Sequence, residues 1–201
     1  VFVRDLALQA TERISVSSNG VEANARSTEP SLSASGRHVA FESTASNLVA
    51  GDSNGSIDIF VRDRQAGTTV RASVSSAGVQ ANTICMDAAM ADNGRHVAFV
   101  SSANTLVGGD TNSRSDIFVR DLLAGETTRA SVDSTGAQAN DASTGSAISA
   151  DGRYVAFEST ATNLVADDTN GTSDVFVRDR VAGITTRARL SSADVQGNGF
   201  S

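Results

Sequence analysis

Apolar and polar positions along this chain recur with one long period. The tetrapeptide FVRD begins at Phe2, Phe60, Phe118 and Phe176, each 58 residues from the last. Asn24, Asn82, Asn140 and Asn198 keep the same step, as do Arg13, Arg71, Arg129 and Arg187, with no insertion or deletion. Self-similarity at a fixed period marks a repeat architecture, in which each unit covers its neighbour's apolar face. Within a period the pattern predicts four short strands. The first surrounds Leu32, Met90 and Ile148 (PSLSA, AAMAD, SAISA). It is expected to end in a tight two-residue hairpin at Ser35-Gly36, Asn93-Gly94 and Asp151-Gly152, where glycine supplies positive φ. The second strand is RHVAFES, RHVAFVS or RYVAFES, and the third is DIFVRD or DVFVRD. A turn with Gly67, Gly125 or Gly183 leads to the fourth, TTVRASV, TTRASV or TTRARL, which alternates like a half-buried strand.

The third strand carries more information. Ile59, Phe60 and Val61 are apolar in succession, so both faces of its sheet must be covered. Four-stranded antiparallel units, covered on both faces and repeated in series, predict an all-β fold: a β-propeller-like array of blades. The alternative is a β-solenoid, but its coils are shorter, and the hairpin dipeptides argue for local antiparallel pairing. The predicted units are a half-blade and linker over 1–27, blades over 28–85 and 86–143, and a blade with a trailing segment over 144–201. The chain opens inside a third strand at Val1, without Met, and is expected to have been processed, trimmed or taken from a longer chain. Its 201 residues are expected not to close a ring alone. Further blades of the same protein or neighbouring copies of itself would complete it, the latter propagating as a filament.

SADGRYVAF, residues 149–157, resembles the repeat signature of TolB-type propellers, with SASGRHVAF and ADNGRHVAF as looser copies. The longer pattern, from GRYVAFESTATNLVADDTNGTSDVFVRD to TTRARLSSADVQ, is similar to repeats of secreted or cell-surface bacterial proteins. The resemblance spans the whole chain. It implies a four-stranded blade per repeat and an extracellular, cell-surface or periplasmic location. It brings no catalytic residues with it, because propellers host many unrelated tasks.

The segment between the second and third strands is the candidate for chemistry. Asp52, Asn54 and Asp58 stand at relative positions 1, 3 and 7, matched by Asp110, Asn112 and Asp116 and by Asp168, Asn170 and Asp174. Alternating oxygen donors in a tight loop suit Ca²⁺, which takes six to eight oxygens. The spacing resembles the opening of an EF-hand-like loop without its distal Glu. The competing reading is turn chemistry, in which Asp and Asn bond nearby backbone N–H groups. If calcium binds, the middle loop should be weakest, because Ser113 stands where the other two have Gly55 and Gly171, and Arg114 after it adds positive charge against a cation.

Other residues exclude more than they suggest. The net charge of −7 argues against a nucleic-acid groove, which needs a basic patch. Trp is absent and Tyr occurs once, poor equipment for stacking on sugars or bases. No apolar stretch approaches the ~18 residues of a membrane span. Cys85 is the single cysteine and reads as a small packed residue. His38 and His96 share a repeat position that Tyr154 fills in the third copy, so a packed aromatic site explains them better than catalysis. The Arg-Asp pair of FVRD points to opposite faces and reads as blade-to-blade bonding. The Asn of QAN reads as a tie for the loop before the first strand. The main break in repeat symmetry, TICMDAAM at 83–90, is apolar apart from Asp87. Paired carboxylates for glycoside hydrolysis need only converge in space, but no nucleophile elbow, zinc signature or phosphate loop is present. The expectation is a non-enzymatic structural or adhesive module, calcium-stabilised, with no catalytic residues. The alternative is an accessory or partial domain of a secreted enzyme whose active site lies outside this segment.

Overall fold

The period is drawn out in strands. The structure, a computed structural model, describes residues 1–188. Asn198 and the predicted trailing segment 189–201 lie outside the described residues. β1 (Phe2–Asp5) and β2 (Ala10–Arg13) form a two-stranded antiparallel sheet. Three four-stranded antiparallel sheets follow: β3 (Ser27–Leu32), β4 (His38–Ser43), β5 (Asp58–Asp63) and β6 (Thr68–Arg71); β7 (Cys85–Met90), β8 (His96–Ser101), β9 (Asp116–Asp121) and β10 (Glu126–Arg129); β11 (Ser143–Ile148), β12 (Tyr154–Ser159), β13 (Asp174–Asp179) and β14 (Ile184–Arg187). Strands pair in sequence order within each sheet, and equivalent strands start 58 residues apart. These are three blades and the outer half of a fourth.

Two local expectations need correction. The first strand begins earlier than its apolar centre suggested, at Ser27, Cys85 and Ser143, and carries a bulge after Thr28, Met86 and Thr144. Glu29, Asp87 and Gly145 take positive φ there, so period-two alternation breaks and the pattern shows only the second half of the strand. The turn that follows is longer than a two-residue hairpin. The Ser33 N–H donates to the His38 carbonyl, leaving four residues, 34–37, in the loop. Gly36, Gly94 and Gly152 have positive φ, but Ser35, Asn93 and Asp151 before them do not. A two-residue type I′ turn needs positive φ at both positions.

Apolar layers lie between sheets. Ala40, Ile59 and Val61 of one blade pack with Cys85, Met90, Val97 and Phe99 of the next. Ala98, Val100, Ile117 and Val119 meet Val155, Phe157 and Phe176 in the same way. Val1 and Val3 of the half-blade pack on Val39, Phe41 and Phe60. Ile59, Phe60 and Val61 are all buried, as their succession predicted. In the last blade Val175 and Val177 are only half-buried beside buried Phe176, because no following sheet covers that face among the described residues.

The histidines sit in these seams. A Cβ added to Gly94 would run into the His38 ring of the preceding blade, and one on Gly152 into His96. Gly94→Ala is expected to destabilise by about 1–3 kcal/mol, from overpacking and from the positive φ. Adding His38→Ala should recover the clash and leave the backbone part. Chemical denaturation of the two single variants and the double variant checks this; equal losses in Gly94→Ala and the double variant would show that His38 is not the obstacle.

Candidate functional site: the Asp and Asn loops

Each loop runs from the end of the second strand into the third, and its carboxylates converge on an arginine of the fourth strand. Arg71 Nη1 lies 3.1 Å from Asp52 Oδ1 and 3.3 Å from Asp58 Oδ2. In the middle blade Arg129 lies 3.6 Å from Asp110 and 3.5 Å from Asp116. In the last, Arg187 lies 3.1 Å from Asp168 and 3.3 Å from Asp174. All of these side chains are at least nine-tenths buried. The asparagine braces the group. Asn54 Nδ2 donates to Asp58 Oδ2 at 2.9 Å and to the Ala81 carbonyl at 3.0 Å, while its Oδ1 accepts from the Ser56 N–H. Asn112 repeats all three bonds, to Asp116, Ala139 and Arg114. Asn170 Nδ2 donates to Asp174 at 3.0 Å, and Asn170 Oδ1 accepts from Thr172. Ser73 and Ser131 hydroxyls donate to the second oxygens of Asp58 and Asp116 at 2.5 and 2.6 Å.

All nine residues singled out by spacing therefore meet in three equivalent clusters. Sequence reasoning missed the arginine, although Arg71, Arg129 and Arg187 share the same step. Burial pushes the carboxyls of Asp52, Asp110 and Asp116 up from their ordinary values, with the arginine pulling the other way. Two carboxylates face one guanidinium, so each cluster keeps an excess negative charge. As a calcium site the donor set fits poorly. A cation already lies between the carboxylates, and the asparagine offers its N–H₂ side to Asp58 rather than an oxygen to the centre. Among the described residues no group of three or more His, Cys, Asp or Glu side chains is arranged to hold a metal ion. Ser113 has φ +55°, the same left-handed conformation as Gly55 and Gly171. The middle loop thus follows its neighbours' path without their conformational ease.

The FVRD pair divides its work between two faces. Arg62 Nη1 donates to the Ser17 carbonyl of the preceding unit and to Gly67 and Thr69 of its own blade. Arg120 and Arg178 reach Ser75 and Asp133 likewise. Asp63 instead takes a two-point bond from Arg37 at 2.9 and 2.6 Å and caps the N–H groups of Gln65 and Ala66. Asp121 with Arg95 and Asp179 with Arg153 repeat it. These arginine bonds hold the three carboxyls well below the usual range. The Asn24 side chain ties its loop to Ser46, and Asn140 does so to Thr162. A further seam bond had no sequence signal beyond its step: buried Thr69, Thr127 and Thr185 donate to the Val16, Val74 and Val132 carbonyls of the preceding unit.

Two features depart from the repeat. Cys85 is buried and its thiol is pushed up to about 12, mainly by burial, which removes it as a nucleophile. A cleft of about 240 Å³ is lined by Arg26, Thr28, Glu29, Glu42, Ser43, Thr44 and Ile57. Position 26 is Ile84 or Ala142 in the other copies, and 29 is Asp87 or Gly145. These columns belong to the same variable segment as TICMDAAM at 83–90, shifted by one repeat. Burial raises the Glu42 carboxyl, and its Oε1 accepts the Asp87 N–H of the next blade at 2.7 Å. Glu42 is therefore engaged in the seam.

An array of four-stranded antiparallel blades, tied in series by recurring polar bonds, defines a β-propeller fold. Solved structures agree. TolB from Acinetobacter baumannii matches with a TM-score of 0.53 at 18% identity, over 97% of this chain and 39% of that one. A prolyl endopeptidase structure matches with a TM-score of 0.54 at 12% identity, over 92% of this chain and 25% of that one. The chain thus spans well under half the length of either. At these identities the likeness is one of fold alone, a β-propeller of the TolB type. No protein-family model matches the chain, and no curated protein matches it.

Proposed function

We propose that this chain is a non-catalytic β-propeller module, structural or adhesive in role, completed by further repeats and working outside the cytoplasm. The observation that carries the reading is repetition. The ionisable side chains that a mechanism would need recur at the same place in successive blades and are engaged in bonds within and between blades. An active site calls for residues that one blade has and the others lack. The cleft at Arg26 and Glu29 meets that condition in part, and its most buried acid is bound to a backbone N–H. Location outside the cytoplasm rests on the resemblance to TolB-type and secreted repeats.

In the same reading the Asp and Asn loops are latches closed by arginine. Calcium is the competing reading, favoured by the excess negative charge of each cluster. Thermal melts with millimolar calcium and with chelator separate the two. The latch reading expects coincident curves. A calcium-dependent rise in Tm that Asp52→Asn reduces would overturn it. For the non-catalytic reading, the protein is offered ester, peptide and glycoside reporter substrates. No turnover above buffer is expected, and turnover that Glu42→Gln removes would establish the cleft as an active site instead.

A further inference from the structure

The cleft at Arg26 and Glu42 is where one seam departs from the next. It lies between the first and second full blades, flanked by two bonds that cross between them. Glu42 Oε1 accepts the Asp87 N–H at 2.7 Å, and the Ile57 carbonyl accepts the Cys85 N–H at 2.8 Å. One repeat further on, Arg26, Thr28 and Glu42 become Ile84, Met86 and Val100. Met86 and Val100 fill that seam as part of its apolar layer. Three apolar side chains are thus exchanged for polar ones around a single space. The last blade keeps Thr144 and Glu158 but has Ala142 and Gly145 where the first has Arg26 and Glu29.

The polar groups of the cleft have bonding capacity to spare. Glu42 is 8% exposed, yet among the described residues no donor bonds its second oxygen, Oε2. That oxygen is not sealed in a void, and its side chain lines the cleft. A desolvated carboxylate oxygen without a donor is costly, so the site calls for one. Arg26 and Glu29 line the same space, and among the described residues neither side chain makes a hydrogen bond or an ion pair. Glu29 holds φ +46° where the last blade uses Gly145, the easier residue in that conformation. Burial raises the Glu42 carboxyl, Asp87 and Glu29 add to the effect, and Arg26 opposes it. Acids outnumber the one base, so the inner end of the cleft favours a cation. Among the described residues no group of acids is arranged to hold a metal ion, which leaves an N–H donor. The exposed Arg26 offers the complementary contact to an anion, and Ile57 supplies an apolar wall. The volume of about 240 Å³ is below the roughly 300–1,000 Å³ of drug-sized sites.

We propose that this cleft binds a small free amino acid. Its ammonium donates to Glu42 Oε2 and to Glu29, its carboxylate is taken by Arg26, and its aliphatic part rests on Ile57. The ligand is held without chemistry, and the inference does not depend on further repeats completing the array.

L-Alanine and 4-aminobutyrate, which differ in the separation of their charged ends, are titrated into the 201-residue protein by calorimetry, with glycinamide, acetate and calcium chloride as comparisons. Saturable one-to-one binding is expected for at least one of the two amino acids, with a rise in Tm as ligand is added. Glycinamide lacks the carboxylate and acetate the ammonium, so each should bind at least about tenfold more weakly. Glu42→Gln keeps an acceptor for the Asp87 N–H and should weaken binding about tenfold to a hundredfold, Arg26→Ala and Glu29→Gln each about twofold to tenfold. Arg26 is exposed, so circular dichroism and melting of Arg26→Ala should match the parent. Thr28→Met with Glu42→Val copies the filling of the next seam; that variant should melt no lower than the parent and bind neither amino acid. Absence of saturable binding, or binding that Glu42→Gln leaves unchanged, would overturn the proposal. So would glycinamide, acetate or calcium binding as tightly as the amino acid, which would assign the cleft to an amine, an anion or a metal ion alone. Reporter substrates test turnover and this titration tests binding, so the two readings can fail separately.

Discussion

Replacing Arg129 by methionine is expected to destabilise the protein by about 3–5 kcal/mol, the cost of leaving a buried ion cluster without one partner. Arg129, Asp110 and Asp116 have side chains 6%, 3% and 0% exposed. Without the guanidinium two carboxylates would share that space. Folding would then require protonation of at least one of them, so the loss should shrink as pH falls. The sign follows from the directions already present. Burial raises the Asp110 and Asp116 carboxyls in the folded chain, and losing the arginine raises them further. A folded-state value above the unfolded one means the penalty is full above the folded value and relieved as pH falls through it. Asp110 Oδ2 is buried without a hydrogen bond, so the cluster is imperfectly satisfied. Converting Arg129, Asp110 and Asp116 together to apolar residues of similar size should therefore recover much of the loss. Urea titrations at several pH values measure both effects. An Arg129→Met protein as stable as the parent at neutral pH would show that the arginine does not hold the loop.

Phe118→Ala is expected to cost a similar amount, about 3–5 kcal/mol, with Tm falling on the order of 10 °C. Phe118 is fully buried in the middle blade, packs in the seam with the first blade, and stacks on Phe99. Phe2→Ala removes the same side chain at the same repeat position and should change stability by less than about 1 kcal/mol, because that ring is largely in water. Differential scanning calorimetry of the pair isolates the value of burying the ring. Equal losses would mean that β1 is covered in solution.

Much of the site was legible, in part. The nine Asp and Asn positions do converge, three to a blade, because a loop starting and ending at fixed strand positions brings alternating side chains to one point. What they converge on was not legible. Arg71 lies 13 residues beyond Asp58, and only the antiparallel return of β6 alongside β5, pairing Arg71 with Phe60, brings its guanidinium back to Asp58 and Asp52. The histidines share their repeat position with Tyr154 in the sequence, but their place against the next blade's hairpin glycine depends on blade packing. The cleft at Arg26 and Glu42 was hidden for a related reason. Its walls come from β3, β4 and the loop before β5, and its buried carboxyl is held by the positive-φ bulge of β7 in the next blade.

The sequence by itself determined the period, the four strands of each repeat and the burial of both faces of the third strand. These are local consequences of alternation, turn residues and consecutive apolar side chains, and each of the three copies repeats the evidence. Tertiary structure alone decided which polar groups meet. Partners such as Arg62 with Ser17, Thr69 with Val16 and Glu42 with Asp87 are 45 to 53 residues apart. Their pairing depends on how one blade is laid against the next, a geometry set by side-chain packing in the seam rather than by any local pattern.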